Sequence, residues 1–173
     1  MMEFKIETER LIIRRPAISN VEDYMSFCNS EFVMRYNAMS VKTRESVLRQ
    51  FADGASRNNT YLLFHKEDNR VIGAVFTDED SLRYGVNSLE LSYFLDEYYA
   101  RHGYMREALK KIIDYLFASL QLDCISARSF APNVASQNLL LSLGFRENGR
   151  IPYCVKGYND IVFDDVLYSY FPM

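Results

Sequence analysis

The stretch that most limits what this chain can fold into runs from residue 89 to residue 117. An apolar run, Leu89–Leu95, is followed by a polar segment, and Gly103 stands just before a long amphipathic pattern. Met105, Ala108, Leu109, Ile112, Ile113, Leu116 and Phe117 recur on one helical stripe, with Arg106, Lys110, Lys111 and Asp114 opposite. The order is strand, glycine junction, helix. At such a junction the first backbone N–H groups of the helix lack an intrahelical acceptor, and the helix dipole adds partial positive charge. Several donors then point one way, an arrangement suited to holding phosphates. An ordinary strand-to-helix connection presents the same pattern, so the rest of the chain has to decide.

Composition narrows the field. With 173 residues, the expectation is one domain spanning 1–173, long enough to bury a proper core. Hydrophobic residues at 49% and charged residues at 25% match a soluble globular protein. No apolar run approaches the roughly 20 residues of a membrane span. The start, MMEFKIETERLIIRR, lacks the pattern of a signal peptide, so a cytoplasmic protein with no membrane partner is expected. Cys28, Cys124 and Cys154 are odd in number and widely spaced, which suggests a reducing compartment and cysteines used as small apolar residues. His65 and His102 lie far apart, so no metal is expected. Net charge is −3, with 20 Lys plus Arg against 23 Asp plus Glu. That argues against a general nucleic-acid binder, which needs a basic surplus, and leaves room for a local basic pocket.

The remaining chain reads as alternating elements. Ile6–Arg14 predicts an opening strand ended by Pro16. Ser19 and Glu22 have the spacing of a capping box that starts a helix to about Asn29. A second helix is predicted over 43–55, with Val47, Leu48, Phe51 and Ala52 inward. The link Glu31–Val41 is apolar and irregular. Tyr61–His65 and Val71–Thr77 flank the turn composition KEDNR and read as a hairpin. Asp78–Asn87 is a polar loop, Cys124–Phe130 a buried strand, and Asn133–Leu143 a short helix closed by Gly144. Tyr153–Val155 and Phe163–Phe171 complete the chain as strands. One α/β domain with helices packed on a mixed sheet follows.

Four separated pieces resemble one family. ETERLIIRRP (7–16), LELSYFLDEYYARHGYMREAL (89–109), NVASQNLLLSLGF (133–145) and DVLYS (165–169) are similar, in order, to the GNAT superfamily of acyl-CoA-dependent N-acetyltransferases, specifically its Rim-type branch, which acetylates α-amino ends of ribosomal proteins. The resemblance implies a mixed, mostly antiparallel sheet of about seven strands flanked by helices, with a splayed central V that receives acetyl-CoA as co-substrate. The backbone of Phe94 and Leu95 would pair with the pantetheine arm as an added strand does. Arg101, His102, Gly103, Tyr104 and Met105 would hold the pyrophosphate on their amides, with Arg106 adding charge. Gly103 would allow close approach of the phosphate. The family's loop usually carries Gln or Arg at Ala100, glycine at Arg101 and a small residue at Met105; backbone donors survive those changes.

The resemblance also assigns roles in the chemistry. Glu90 faces opposite to Leu89 and Leu91 by alternation and is the candidate base, acting through water; a solvent-facing glutamate on a half-exposed strand would look alike. Asn133 is a helix N-cap by type and is implied to contact the cofactor arm, with Asn138 nearby. Ser136 is the implied general acid for the departing thiolate, because the family's usual tyrosine is replaced by Leu140; Tyr153 stands second. Backbone N–H groups near Leu95 are the implied oxyanion donors. The expected activity is transfer of acetyl to a primary amine, most readily a protein or peptide α-amino group, whose pKa of about 8 leaves more of it neutral than a lysine at about 10.4. A polyamine or aminoglycoside acceptor would need several carboxylates, for which Asp78, Glu79 and Asp80 are the candidates. A non-catalytic acyl-CoA-binding module is the reading from another class. Monomer or homodimer is expected.

Overall fold

The structure, a computed structural model, describes residues 4–172; the outermost residues of the expected 1–173 domain lie outside them. Its elements are β1 (Lys5–Glu7), β2 (Leu11–Arg14), α1 (Val21–Cys28), α2 (Glu31–Met34), α3 (Arg44–Arg57), β3 (Thr60–His65), β4 (Arg70–Glu79), β5 (Ser88–Leu95), α4 (Tyr104–Leu120), β6 (Cys124–Phe130), α5 (Val134–Ser142), β7 (Arg146–Lys156) and β8 (Val162–Tyr170). The strands form one sheet in the order β1-β2-β3-β4-β5-β6-β8-β7. Every pairing is antiparallel except β5 with β6. That parallel pair needs a crossover, and α4 supplies it.

The sheet is covered on both faces. Leu91, Ile125, Ala127 and Tyr168 pack with Met105, Leu109, Ile112 and Leu116 of α4 and with Leu140 of α5. Val21, Tyr24 and Phe27 of α1 and Phe51 of α3 pack with Leu62, Val71 and Ala74 on the other face. A bulge in β4, where Leu63 opposes Gly73 but Phe64 opposes Val71, lets Ile72 and Val75 share a face. Gly73 permits it: a Cβ there would stand 2.8 Å from the Phe94 carbonyl oxygen.

The parallel pairing covers only part of the two strands. Ser88 to Leu91 match Cys124 to Ala127, whereas Ser92–Leu95 and residues 128–130 have no partner across the gap. The strands splay there, as the V-shaped opening requires, and one edge of β5 presents unpaired backbone groups.

Two local expectations are corrected. The opening strand is a hairpin, β1 with β2, because the chain turns at Thr8–Arg10; the Thr8 N–H donates to the Leu11 carbonyl at 3.0 Å. The Ser19/Glu22 capping box does not form. Asn20 instead accepts the Ala17 N–H at 3.0 Å, and Glu22 pairs with Arg44 at 2.9 Å. A reciprocal cap is present at Thr43 and Ser46, at the start of α3. The Glu31–Val41 link contains α2, whose N-cap Ser30 accepts the Val33 N–H.

Candidate active site

The gap between β5 and β6 opens into two cavities that share a wall. The larger, about 710 Å³, is lined by the end of β5, the loop before α4, the first turns of α4 and α5, and residues 32–37. Its charged lining residues are Arg35, Arg101 and Arg106, with no carboxylate among them. A protein of net charge −3 thus presents a locally cationic chamber.

The loop before α4 builds one wall of this chamber. A short 3-10 turn, Glu97–Tyr99, leads into Arg101 at φ +64 and Gly103 at φ +82, the N-cap of α4. The first helical bond of α4 is from the Glu107 N–H to the Gly103 carbonyl, 3.0 Å. The amides of Tyr104, Met105 and Arg106 precede it, and no side chain caps them. Their donors and the dipole of a 17-residue helix converge on the cavity. Gly103 is glycine first because of its backbone: left-handed φ is costly for other residues. A Cβ there would also touch Arg10 Nη2 at 3.4 Å.

A polar network holds this loop from behind. Glu107 accepts the Arg10 N–H at 2.9 Å, Arg10 Nε at 2.8 Å and the Thr8 hydroxyl. Arg10 Nη1 donates to the His102 carbonyl at 2.9 Å, and its guanidinium lies 4.3 Å over the Tyr104 ring. Buried His65 bridges Asp68 (2.8 Å) and the Tyr104 hydroxyl (2.9 Å). Burial raises the Glu107 carboxyl, but the Thr8 and Arg10 hydrogen bonds win and hold it below the usual range.

The smaller cavity, about 300 Å³, lies on the other side of the shared wall. Residues 36–38 roof it, and Glu90 of β5, Arg128 of β6 and Asp165 of β8 are its charged lining. Arg128 donates from Nε (2.9 Å) and Nη2 (2.8 Å) to the same oxygen, Oε2 of Glu90. Asp165 Oδ2 stands 4.0 Å from Arg128 Nη1. Burial pushes the Asp165 carboxyl up and the Glu90 charge adds to it, while Arg128 opposes.

Tyr93, Asn133 and Ser136 line both cavities. The Tyr93 hydroxyl and Ser136 Oγ are 2.8 Å apart. Burial pushes the Tyr93 phenol up to about 12, partly offset by the Ser136 hydrogen bond. Asn133 caps α5 by accepting the Ser136 N–H at 3.3 Å, so the capping role expected of it is present.

Of the residues expected to bind cofactor, Phe94, Leu95, Arg101, Gly103, Tyr104, Met105, Arg106, Asn133 and Asn138 line the larger cavity. His102 does not; its carbonyl is tied to Arg10. Glu90 and Ser136 line the smaller one. Tyr153 is 85% exposed and lines neither, which removes it as the second acid. Asp78, Glu79 and Asp80 line neither cavity: the first two end β4, and Asp80 is buried against Arg83 and the Leu82 N–H. Cys124 is buried as expected, whereas Cys154 is half-buried. Arg128, Asp165, Tyr93, Tyr36 and Asn37 were not singled out by sequence. A lone arginine in the strand CISARSF was the available signal for Arg128. Among the described residues no His, Cys, Asp and Glu group could hold a metal ion, and no helix is long and apolar enough to cross a membrane.

Comparison with known proteins identifies the family and the fold. The family model described as the acetyltransferase (GNAT) domain matches residues 10–146. The chain is 27% identical over 150 residues to the uncharacterized N-acetyltransferase YoaA of Bacillus subtilis, covering 83% of this chain and 84% of that protein. Its fold is similar to the ribosomal-protein-S5-alanine acetyltransferase of Vibrio fischeri, with TM-score 0.85, 22% identity, and 98% and 97% of the two chains covered. It is also similar to the spermidine N-acetyltransferase of Vibrio cholerae solved with CoA and spermine, with TM-score 0.81, 17% identity, and 95% and 96% covered. Over most of its length, therefore, the chain belongs to the GNAT acetyltransferase family and is an acetyl-CoA-dependent N-acetyltransferase.

Proposed function

We propose that this enzyme acetylates one primary amine per acceptor, foremost the α-amino group of a protein or peptide, as the Rim-type branch does, and that it acts as a single domain. The observation that carries the reading is the separation of charge between the two cavities. Three arginines and uncapped amides face one side, suiting a polyanionic co-substrate. Two carboxylates around one arginine face the other, an excess of one negative charge that matches one ammonium. A polyamine carries several positive charges, and the acidic run 78–80 that would meet them lies elsewhere.

The residues present fit acetyl-CoA, which when bound supplies the thioester-activated acetyl group. Phe94 and Leu95 offer an unpaired strand edge to amide groups. Ser136 Oγ holds the proton that a departing sulfur needs, and Tyr93, 2.8 Å behind it, is positioned to restore that proton. Glu90 keeps Arg128 turned toward β5 and has a second oxygen with which to accept a proton through water. Purified protein with acetyl-CoA and an amine panel, read by thiol release, tests the proposal. Peptides with free N-termini are expected to turn over at least tenfold better in kcat/KM than the same peptides blocked at the N-terminus or than spermidine. A preference for spermidine would refute the α-amino assignment, and no turnover with any amine would refute the whole reading.

A further inference from the structure

Asp165 is a buried carboxylate that the fold leaves incomplete. It is 2% exposed, and Oδ1 is shut off from solvent without a hydrogen-bond partner. Oδ2 reaches Arg128 Nη1 only at 4.0 Å, an ion-pair separation beyond hydrogen-bonding distance. No side chain or backbone N–H among the described residues donates to either oxygen. The same protein completes another buried carboxylate without difficulty. Asp80, 5% exposed, receives the Leu82 N–H at 3.0 Å and Arg83, and these bonds outweigh its burial and hold its carboxyl below the usual range.

The missing donor is not Arg128. Its Nε and Nη2 are held by Glu90 Oε2, and Nη1, the remaining nitrogen, stops at 4.0 Å from Asp165 Oδ2, outside hydrogen-bonding distance. A buried acceptor without a donor is costly, and such groups in native proteins call for an explanation. Here the vacancy is a pair of lone pairs on the wall of the smaller cavity, between Phe130 and Ile151 in the ladder. Because neither oxygen has a hydrogen bond to lose, turning the carboxylate about Cβ–Cγ to present either one breaks nothing.

We infer that Asp165 is the seat of the acceptor's ammonium group: its oxygens receive the N–H donors of the incoming amine and accept the first proton from it. This rests on the amine-acetylation reading above and deepens it. In the step, one N–H bond of the ammonium breaks, an O–H bond forms on Asp165, and the electron pair stays on nitrogen. A charged ammonium and carboxylate become a neutral amine and a neutral acid, a change that a buried site favours. Burial already pushes this carboxyl above the usual range, with Glu90 of β5 in the same sense and Arg128 of β6 against it; Cys154 of β7 stands near Arg128, and Tyr36 roofs the cavity. Glu90 then shares Arg128 with Asp165: it holds two of the guanidinium nitrogens and leaves only Nη1, at 4.0 Å, to offset the Asp165 charge.

The test is Asp165→Asn, isosteric and uncharged, assayed with the best amine found for the wild type. KM for the amine is expected to rise at least tenfold and kcat/KM to fall at least a hundredfold. The acid limb of the kcat/KM pH profile should flatten, while acetyl-CoA affinity stays within twofold. The melting temperature should hold or rise, since a buried charge with no donor is removed. Peptides carrying an α-hydroxyl in place of the α-amine should inhibit the wild type at least tenfold more weakly than the amine binds, and the variant should lose that distinction. In the wild type, the ¹³C signal of the Asp165 carboxyl should move on adding the amine peptide but not the hydroxyl analogue. Activity within threefold of wild type, loss of stability together with acetyl-CoA binding, or an unmoved carboxyl signal would overturn the inference while leaving the enzyme an amine acetyltransferase. Absence of turnover by the wild type would overturn both.

Discussion

Replacing Glu107 by glutamine removes the charge that ties the N-terminal hairpin to the loop in front of α4. The carboxylate receives three hydrogen bonds, from the Thr8 hydroxyl, the Arg10 N–H and Arg10 Nε, and forms an ion pair with Arg10 Nη2. A glutamine keeps one acceptor oxygen and turns an NH₂ toward a guanidinium. Hydrogen bonds to charged groups contribute roughly 1.5–3 kcal/mol each. The Arg10 side chain is 39% exposed and the Glu107 side chain 17%, so solvent screens part of that. With two bonds forfeited and one discounted, the expected loss is about 2 kcal/mol. For a chain of this size that lowers the melting temperature by roughly 4–8 °C.

The pH dependence supplies the sharper check. The Glu107 carboxyl is held below its ordinary value in the folded protein, so its stabilisation is present above the unfolded carboxyl's pKa of about 4.3. It disappears as pH falls through the folded value. The gap between wild type and Glu107→Gln in urea denaturation should therefore be constant from pH 5 to 8 and narrow below about pH 4.3. Because Arg10 also holds the His102 carbonyl, KM for acetyl-CoA should rise several-fold while KM for the amine stays put. A gap under about 0.5 kcal/mol at pH 7, below even a single net hydrogen bond, would refute the argument. So would a gap of the same size at pH 3.5.

Ser136→Ala should lower kcat about 100-fold, the low end of general acid catalysis, with acetyl-CoA affinity little changed; Tyr93→Phe should cost less, because Ser136 keeps its own proton. Steady-state kinetics of the two variants and of the double variant checks this, and the double should lose no more than Ser136→Ala alone. Gly103→Ala places a Cβ at φ +82 beside Arg10 and should destabilise by roughly 1–2 kcal/mol, with weaker acetyl-CoA binding by calorimetry. Arg83→Met leaves Asp80 buried without its guanidinium and Ser169 without a donor, and should cost roughly 3–5 kcal/mol in chemical denaturation at neutral pH.

What could be read from the sequence was whatever is decided locally. The stripe of α4 follows from one buried face, and Met105 to Leu116 fall inside as the spacing requires. β6 has the bounds expected of it, and Asn133 caps α5 because an asparagine there satisfies an orphan amide within three residues. The failures occur where a distant partner outbids the local signal. The turn at Thr8–Arg10 has no glycine, proline or asparagine to mark it; it is held by Glu107, 97 to 99 residues away. The Ser19/Glu22 cap gives way to Asn20, and Glu22 turns to Arg44 on another helix. Residues 36–38 become the roof of a cavity only because strands far along the chain lie beneath them. Asp165 looked like one more charge in a strand, since nothing near it in sequence reveals that its oxygens would be left without donors.

The same reasoning accounts for the loop's departures from the family pattern. The family usually has glycine where this chain has Arg101, and Arg101 adopts φ +64, the left-handed conformation that glycine takes without strain. An arginine there costs roughly 1–2 kcal/mol of backbone strain. What it adds is a third cation on the wall of a chamber that contains no carboxylate, beside amides that no side chain caps. The strain sits on the wall of the cationic cavity and the orphaned carboxylate on the wall of the smaller one; under the proposed function, this is a fold giving up some stability where its two substrates meet.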